Sequence, residues 1–238
     1  MKHVLKTIYA ILLAFILLFA PRIGRWVANL FDFDQIDPDG AFMWISVRHI
    51  TQTLVILILI VVITKISKIQ FNLGMGDKKI GFSYLKKFMI YFTIYTVIVF
   101  AVTVISGGFQ SFIHPLNARN IIGYLGFQLL LSGPSEELIF RAFAMTMFAF
   151  LVSNKRLDRR MSYANLFAMI IFGVAHIYFT FNPFGMSYDI GQVLFAMALG
   201  YFYGDCYEKS KSFVYPMFMH SFSNVLMMSI TIILSAIL

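Results

Sequence analysis

Residues 121–151 read IIGYLGFQLLLSGPSEELIFRAFAMTMFAFL. The run is longer than the roughly 20 apolar residues that one bilayer crossing needs. Gly133-Pro134 falls inside it, and a proline there kinks a helix or opens a new one, so a short or re-entrant eighth segment is allowed. The run also keeps three ionisable side chains, Glu136, Glu137 and Arg141. Each costs about 2.5–3.5 kcal/mol at mid-span, so retaining them calls for a use.

Working outward, six further runs have the length and composition of membrane spans: Val4–Ile23, Met43–Thr64, Lys87–Ser106, Ser162–Thr180, Tyr188–Gly204 and Phe213–Leu238. The expectation is an all-α, polytopic transmembrane bundle with about seven spans. Its 238 residues would form a single domain (1–238), with the motif-bearing core at about 120–225. Composition agrees: 60% of residues are hydrophobic and 13% charged, against roughly a quarter charged in soluble domains. The single cysteine, Cys206, excludes an internal disulfide and a cysteine metal cluster. Lys2 and Lys6 precede an apolar stretch, as in a signal peptide. No small-x-small site follows and Pro21 comes directly after Ala20, so the first run is expected to be a retained span.

The net charge of +8 does not mark a nucleic-acid surface. The basic residues fall in short loops, where they act as topology signals. If the spans alternate, fourteen of the nineteen Lys and Arg lie on one side, and Arg22, Arg25 and Arg119 lie on the other. Arg48 and Arg141 lie within spans. This bias places the N-terminus in the cytoplasm and the C-terminus outside. The acidic loop Asp32, Asp34, Asp37, Asp39 lacks the spacing and closing Glu of an EF-hand and reads as a solvated turn. Gly200-xxx-Gly204 allows two helices to approach closely, with packing inside the bundle as its expected use.

The intramembrane polar groups fall into three motifs. In Glu136-Glu137-x-x-x-Arg141, adjacent helical side chains diverge by about 100°. Glu137 shares a face with Arg141 and can pair with it, while Glu136 points elsewhere. Apolar walls disfavour a bare carboxylate, which suits a group that takes up a proton near neutral pH. Phe172-x-x-x-His176 and His220-x-x-x-Asn224 each place two side chains one helical turn apart. Together they offer a base, a proton carrier or metal ligand, and donors for an oxyanion. Taken singly, each motif also reads as packing: a lone His is commonly a bonded core residue, and Asn is common interhelical glue. Three motifs on three helices favour one shared site, because few other mid-span groups are there to satisfy them. Arg48 and His49 are the other candidates, and Arg48 is read as snorkelling to the interface.

In this order, on separate apolar helices, the motifs resemble the CPBP family of intramembrane proteases. That family includes CAAX prenyl endopeptidases and the bacteriocin-processing or immunity proteins of the Abi group. The resemblance covers roughly Asn120 to Asn224. It implies that Glu136 activates the attacking water with His176 beside it. It also implies that His220 and Asn224 stabilise the oxyanion, that Glu137 and Arg141 hold the site in shape, and that Phe172 packs behind His176. Two His and a Glu (His176, His220, Glu136) are also a ligand set for a divalent metal such as zinc, although no His-Glu-x-x-His spacing is present. Metal-assisted and metal-free hydrolysis both remain open at this point.

The function expected is therefore endopeptidase action on a peptide or membrane-tethered substrate. The alternative is a non-catalytic membrane scaffold or bacteriocin-immunity protein on the same fold. A proton-coupled transporter fits the inventory but lacks the inverted hydropathy repeat of many transporters. The expected setting is a prokaryotic plasma membrane. The expected partners are the lipid bilayer, the substrate, and either a second copy or an envelope protein, with no nucleic acid.

Overall fold

The computed structural model describes residues 2–181 and 183–238. Among the described residues, four helices are long and apolar enough to cross a membrane: His3–Ala28, Met43–Ser67, Lys78–Ile105 and Val214–Ile237. In order, the described helices are α1 (Lys2–Ala28), α2 (Met43–Ser67), α3 (Lys78–Ile105), α4 (Ala118–Phe127), α5 (Gly133–Glu137), α6 (Thr146–Leu151), α7 (Tyr163–Val174), α8 (Ile190–Ser210) and α9 (Val214–Ile237). A hairpin of β1 (Tyr178–Phe181) and β2 (Phe184–Ser187) joins α7 to α8, with Tyr178 opposite Ser187. The expected class, a multi-pass helical membrane bundle, is what the chain forms.

Several boundaries are local chemistry. Asp77, Asn117, Ser162 and Asp189 each accept a hydrogen bond from the backbone N–H three residues on, and so start α3, α4, α7 and α8. The lysines from 78 to 87 belong to α3, because the Asp77 cap begins that helix nine residues before the expected start at Lys87.

The run quoted first is a single helical path, with the kink expected at Pro134 absorbed by wide turns. A π-helical stretch, π1 (Gln128–Ser132), precedes α5, and a second, π2 (Leu138–Met145), follows it. Proline supplies no N–H and crowds the carbonyl four residues back. A wide turn before it relieves that clash without breaking the path.

The expected span Ser162–Thr180 is corrected. Its helix, α7, is only 12 residues long and rises about 18 Å. It frays through tight turns at His176 and Ile177 into aromatic and β-branched residues, and the strand composition of Tyr178-Phe179-Thr180 takes over. Asp37 is also corrected: it is buried, not a solvated turn residue. Its carboxylate accepts from the N–H groups of Ala41, Phe42 and Met43 at 2.7–2.8 Å and so anchors the start of α2. Asp39 accepts from the side chain of Asn120 at 2.9 Å, tying the same loop to α4.

α1 packs on α2, α7 on α8, and α3 on α9, with α9 also lying against π1 and α5. The glycine pair of α8 is used inside the bundle. A Cβ on Gly204 would collide with Asn165 of α7, and one on Gly200 would press on Phe172. Much of the outer surface of α1, α2 and α3 is large and apolar, as suits helices facing lipid.

Candidate active site

The adjacent carboxylates of α5 have opposite fates. Glu137 is sealed, with 0% side-chain exposure, as is its partner Arg141. Arg141 Nε lies 2.8 Å from Glu137 Oε2, one helical turn away. Its guanidinium also lies 5.0 Å from the Phe172 ring centre and 5.8 Å from that of Tyr203, which gives the buried cation aromatic faces on which to rest. Glu136 is 22% exposed and has no such lock.

His220 joins the two. Its Nδ1 is 2.9 Å from Glu137 Oε1. A carboxylate paired with Arg141 accepts, so Nδ1 carries the hydrogen and donates. Nε2 then faces Glu136, 3.9 Å from Oε2. The buried carboxylate thus orients the histidine, and the histidine presents its other nitrogen to the open carboxylate.

His176 is oriented by the backbone. Its Nδ1 donates to the Phe172 carbonyl at 2.8 Å, because a carbonyl can only accept. In the neutral ring Nε2 is then the free acceptor. The Phe172 ring stands edge-on to His176 at 5.0 Å and to His220 at 5.9 Å. Asn224, one turn beyond His220, donates its side-chain N–H to Ser132 Oγ at 3.0 Å, which ties α9 to π1.

Placing the spans by sequence puts His176 near one membrane face and His220 toward the other. The short α7 removes this conflict. A helix of about 18 Å ends early, and just beyond it His176 shares the Phe172 ring with His220. All three histidines that surround Glu136, namely His220, His49 and His176, lie within its electrostatic reach.

Residues 117–226 match the profile of the family described as type II CAAX prenyl endopeptidase Rce1-like. The match takes in just under half of the chain, the part that bears the motifs, and is a similarity to that family. No curated protein and no solved structure matches the chain. The matched segment spans α4 to the first half of α9 and contains all three motifs. The matched family is one of membrane proteases, which makes a protease the activity class the comparison supports.

Outside the matched segment, α2 supplies a further wall. One Gln52 side-chain N–H goes to Ser135 Oγ at 2.8 Å and the other to His49 Nδ1 at 3.1 Å. Ser135 in turn donates to the His49 carbonyl at 3.3 Å. His49 Nδ1 therefore accepts, and its hydrogen sits on Nε2. This network fastens α2 beside Glu136. Arg48, beside it, is half-buried with its Nε shut off from solvent, and Glu136 lies within its electrostatic reach. A buried polar position at His49 and Gln52, continued by Ile56 and Ile60 at helical spacing, was the available sequence signal. Tyr203, Ser132 and Ser135 carried none, because each is defined by its partner on another helix.

A metal needs several donors converging on one point about 2 Å away. Among the described residues, no three His, Cys, Asp or Glu side chains do so. His220 has given Nδ1 to Glu137, and His176 has given Nδ1 to a carbonyl.

Proposed function

We propose that the chain is an intramembrane endopeptidase in which Glu136 activates water. The observation that carries this reading is the division between neighbouring carboxylates. Glu137 is closed into a pair with Arg141 and steers His220, while Glu136 stays open and faces His220 Nε2. A scaffold has no need of an open carboxylate kept among apolar helices at this cost.

In the reaction, Glu136 takes a proton from water as the oxygen attacks the scissile carbonyl. The tetrahedral oxyanion forms beside His220, in its doubly protonated form, and the Asn224 amide, both as donors. The C–N bond then breaks and the proton held by Glu136 passes to the leaving amine. His176, with Nε2 free, borders the same carboxylate. Arg141 and Glu137 keep the frame.

The substrate is a peptide or a membrane-tethered protein, and the family's name puts a prenylated CAAX peptide first among those to test. We place the protein in a prokaryotic plasma membrane with seven crossings. Helices α4 to α6 form one interrupted crossing and α7 a partial one, with the N-terminus cytoplasmic and the C-terminus outside, in keeping with the basic bias of the loops.

The test is a comparative peptide profile of membranes and medium from cells with equal amounts of wild type, Glu136→Ala and His176→Ala. Peptides produced by the wild type alone are the expected result. Identical profiles, with a biological effect retained in both variants, would instead establish a non-catalytic scaffold or immunity role.

A further inference from the structure

Arg48 lies in the second turn of α2, one residue before His49, on the helix that Gln52 and Ser135 fasten to the site. Its backbone and Cγ lie against α1 at Gly24. A Cβ there would come within 3.2 Å of that Cγ, so the two helices approach closely at this point. Its Nε is buried with no hydrogen-bond partner. Among the described residues no carboxylate forms an ion pair with it. Arg25, the neighbouring cation, is already engaged: it donates to the Tyr178 hydroxyl at 3.2 Å and rests over that ring.

A guanidinium nitrogen buried without a partner is costly, and the planar fork of the group matches a carboxylate. Glu136 is close enough to feel its charge but is not bonded to it. The missing partner is therefore best supplied from outside the chain, next to the place where water is activated.

We propose that Arg48 is a substrate-binding residue that holds a carboxylate of the peptide, a few residues to one side of the bond cut at Glu136. This rests on the endopeptidase reading above. Fixing a carboxylate at Arg48 and the scissile carbonyl at Glu136 makes their separation a ruler, so the site cuts at a set distance from a negative charge. Either the C-terminal carboxylate or an Asp or Glu side chain offers that chemistry.

The test uses the full-length protein in liposomes with an N-terminally lipidated, randomised decapeptide library. The library is made as the free acid, as the C-terminal amide, and as the free acid with Asp and Glu replaced by Asn and Gln. Products are read by mass spectrometry for wild type, Arg48→Gln, Arg48→Lys and Glu136→Ala. Loss of a charge-assisted bond predicts a fall of at least about tenfold for the library lacking the recognised carboxylate. Cuts clustered near the C-terminus and lost on amidation support the inference with the C-terminus as ligand. Cuts that survive amidation but vanish without Asp and Glu support it with a side chain as ligand. In either case the preference falls to about one in Arg48→Gln and is intermediate in Arg48→Lys, which keeps the charge and loses the fork. Wild-type cleavage indifferent to every carboxylate overturns the inference, whether or not the variants fold. So does an undiminished preference in Arg48→Gln. No cleavage beyond that of Glu136→Ala would instead sink the endopeptidase reading, and this inference with it.

Discussion

Tyr203 lies flat against His220, with ring centres 5.2 Å apart and planes 21° from parallel. Ser223 donates to the His220 carbonyl at 2.8 Å and accepts from the Tyr203 hydroxyl at 2.8 Å. Glu137 fixes one edge of the imidazole and Tyr203 fixes a face, so few orientations remain. Tyr203→Phe keeps the ring and loses one bond. It is expected to cost about 1 kcal/mol of stability, seen as a small fall in melting temperature in detergent. Tyr203→Leu removes the stack, and loose positioning of His220 is expected to slow cleavage about tenfold or more at equal protein level. A wild-type rate in Tyr203→Leu would show that the stack does not position the ring.

The two carboxylates of α5 should separate cleanly in stability measurements. Arg141→Ala leaves Glu137 charged, buried and without its main partner, a loss of about 3–5 kcal/mol. Glu136→Gln removes a carboxylate that is 22% exposed and 3.9 Å from its nearest histidine nitrogen. It is expected to melt close to wild type while losing activity. Thermal melts of both variants in one detergent decide the matter. Equal collapse would mean that Glu136 is structural too.

Gly133 is where α5 touches α9. A Cβ there would meet Ser221 Oγ at 2.5 Å and its backbone nitrogen at 2.8 Å. Gly133→Ala therefore pushes away the helix that carries His220 and Asn224. A cost of about 1–3 kcal/mol is expected from overpacking, together with loss of cleavage. Adding Ser221→Gly relieves the hydroxyl contact and leaves the backbone contact, so partial recovery is expected. Full activity in Gly133→Ala alone would show that the two helices tolerate a wider gap.

Ser132 receives the Asn224 amide across 3.0 Å. Ser132→Ala is expected to lower cleavage while changing stability by about 1 kcal/mol. Ser132→Thr, which keeps the hydroxyl, should retain more activity. The order of the three cleavage rates is the readout, and an alanine variant as active as the threonine one would remove the role assigned to this bond.

The membrane class and the three motifs were legible in the sequence because both are local. Apolar length is counted along the chain, and residues four apart share a helical face. The opposed directions of Glu136 and Glu137 follow from the same geometry. What was not legible joins distant segments. Gln52 meets Ser135 83 positions away, and Asp39 meets Asn120 81 positions away. Such pairs leave no period in the sequence. The length of α7 was misread for a different reason. Tyr178-Phe179-Thr180 is as apolar as a helix end, and its conformation depends on the turn that follows.

The wide turns π1 and π2 flank the short α-helical stretch that holds Glu136. Each carries more residues per turn than the α-helix around it, so the direction of every side chain in α5 depends on where those turns begin and end. A deletion that the wide turns do not absorb turns everything beyond it by about 100° per residue. One such loss before α5 would put Glu137 on the bearing that Glu136 holds, the clamped acid in the place of the open one. The spacing of residues 128–145 is therefore an angular setting. A deletion there, even of a lipid-facing leucine, rotates the chemistry without touching any of the groups that perform it.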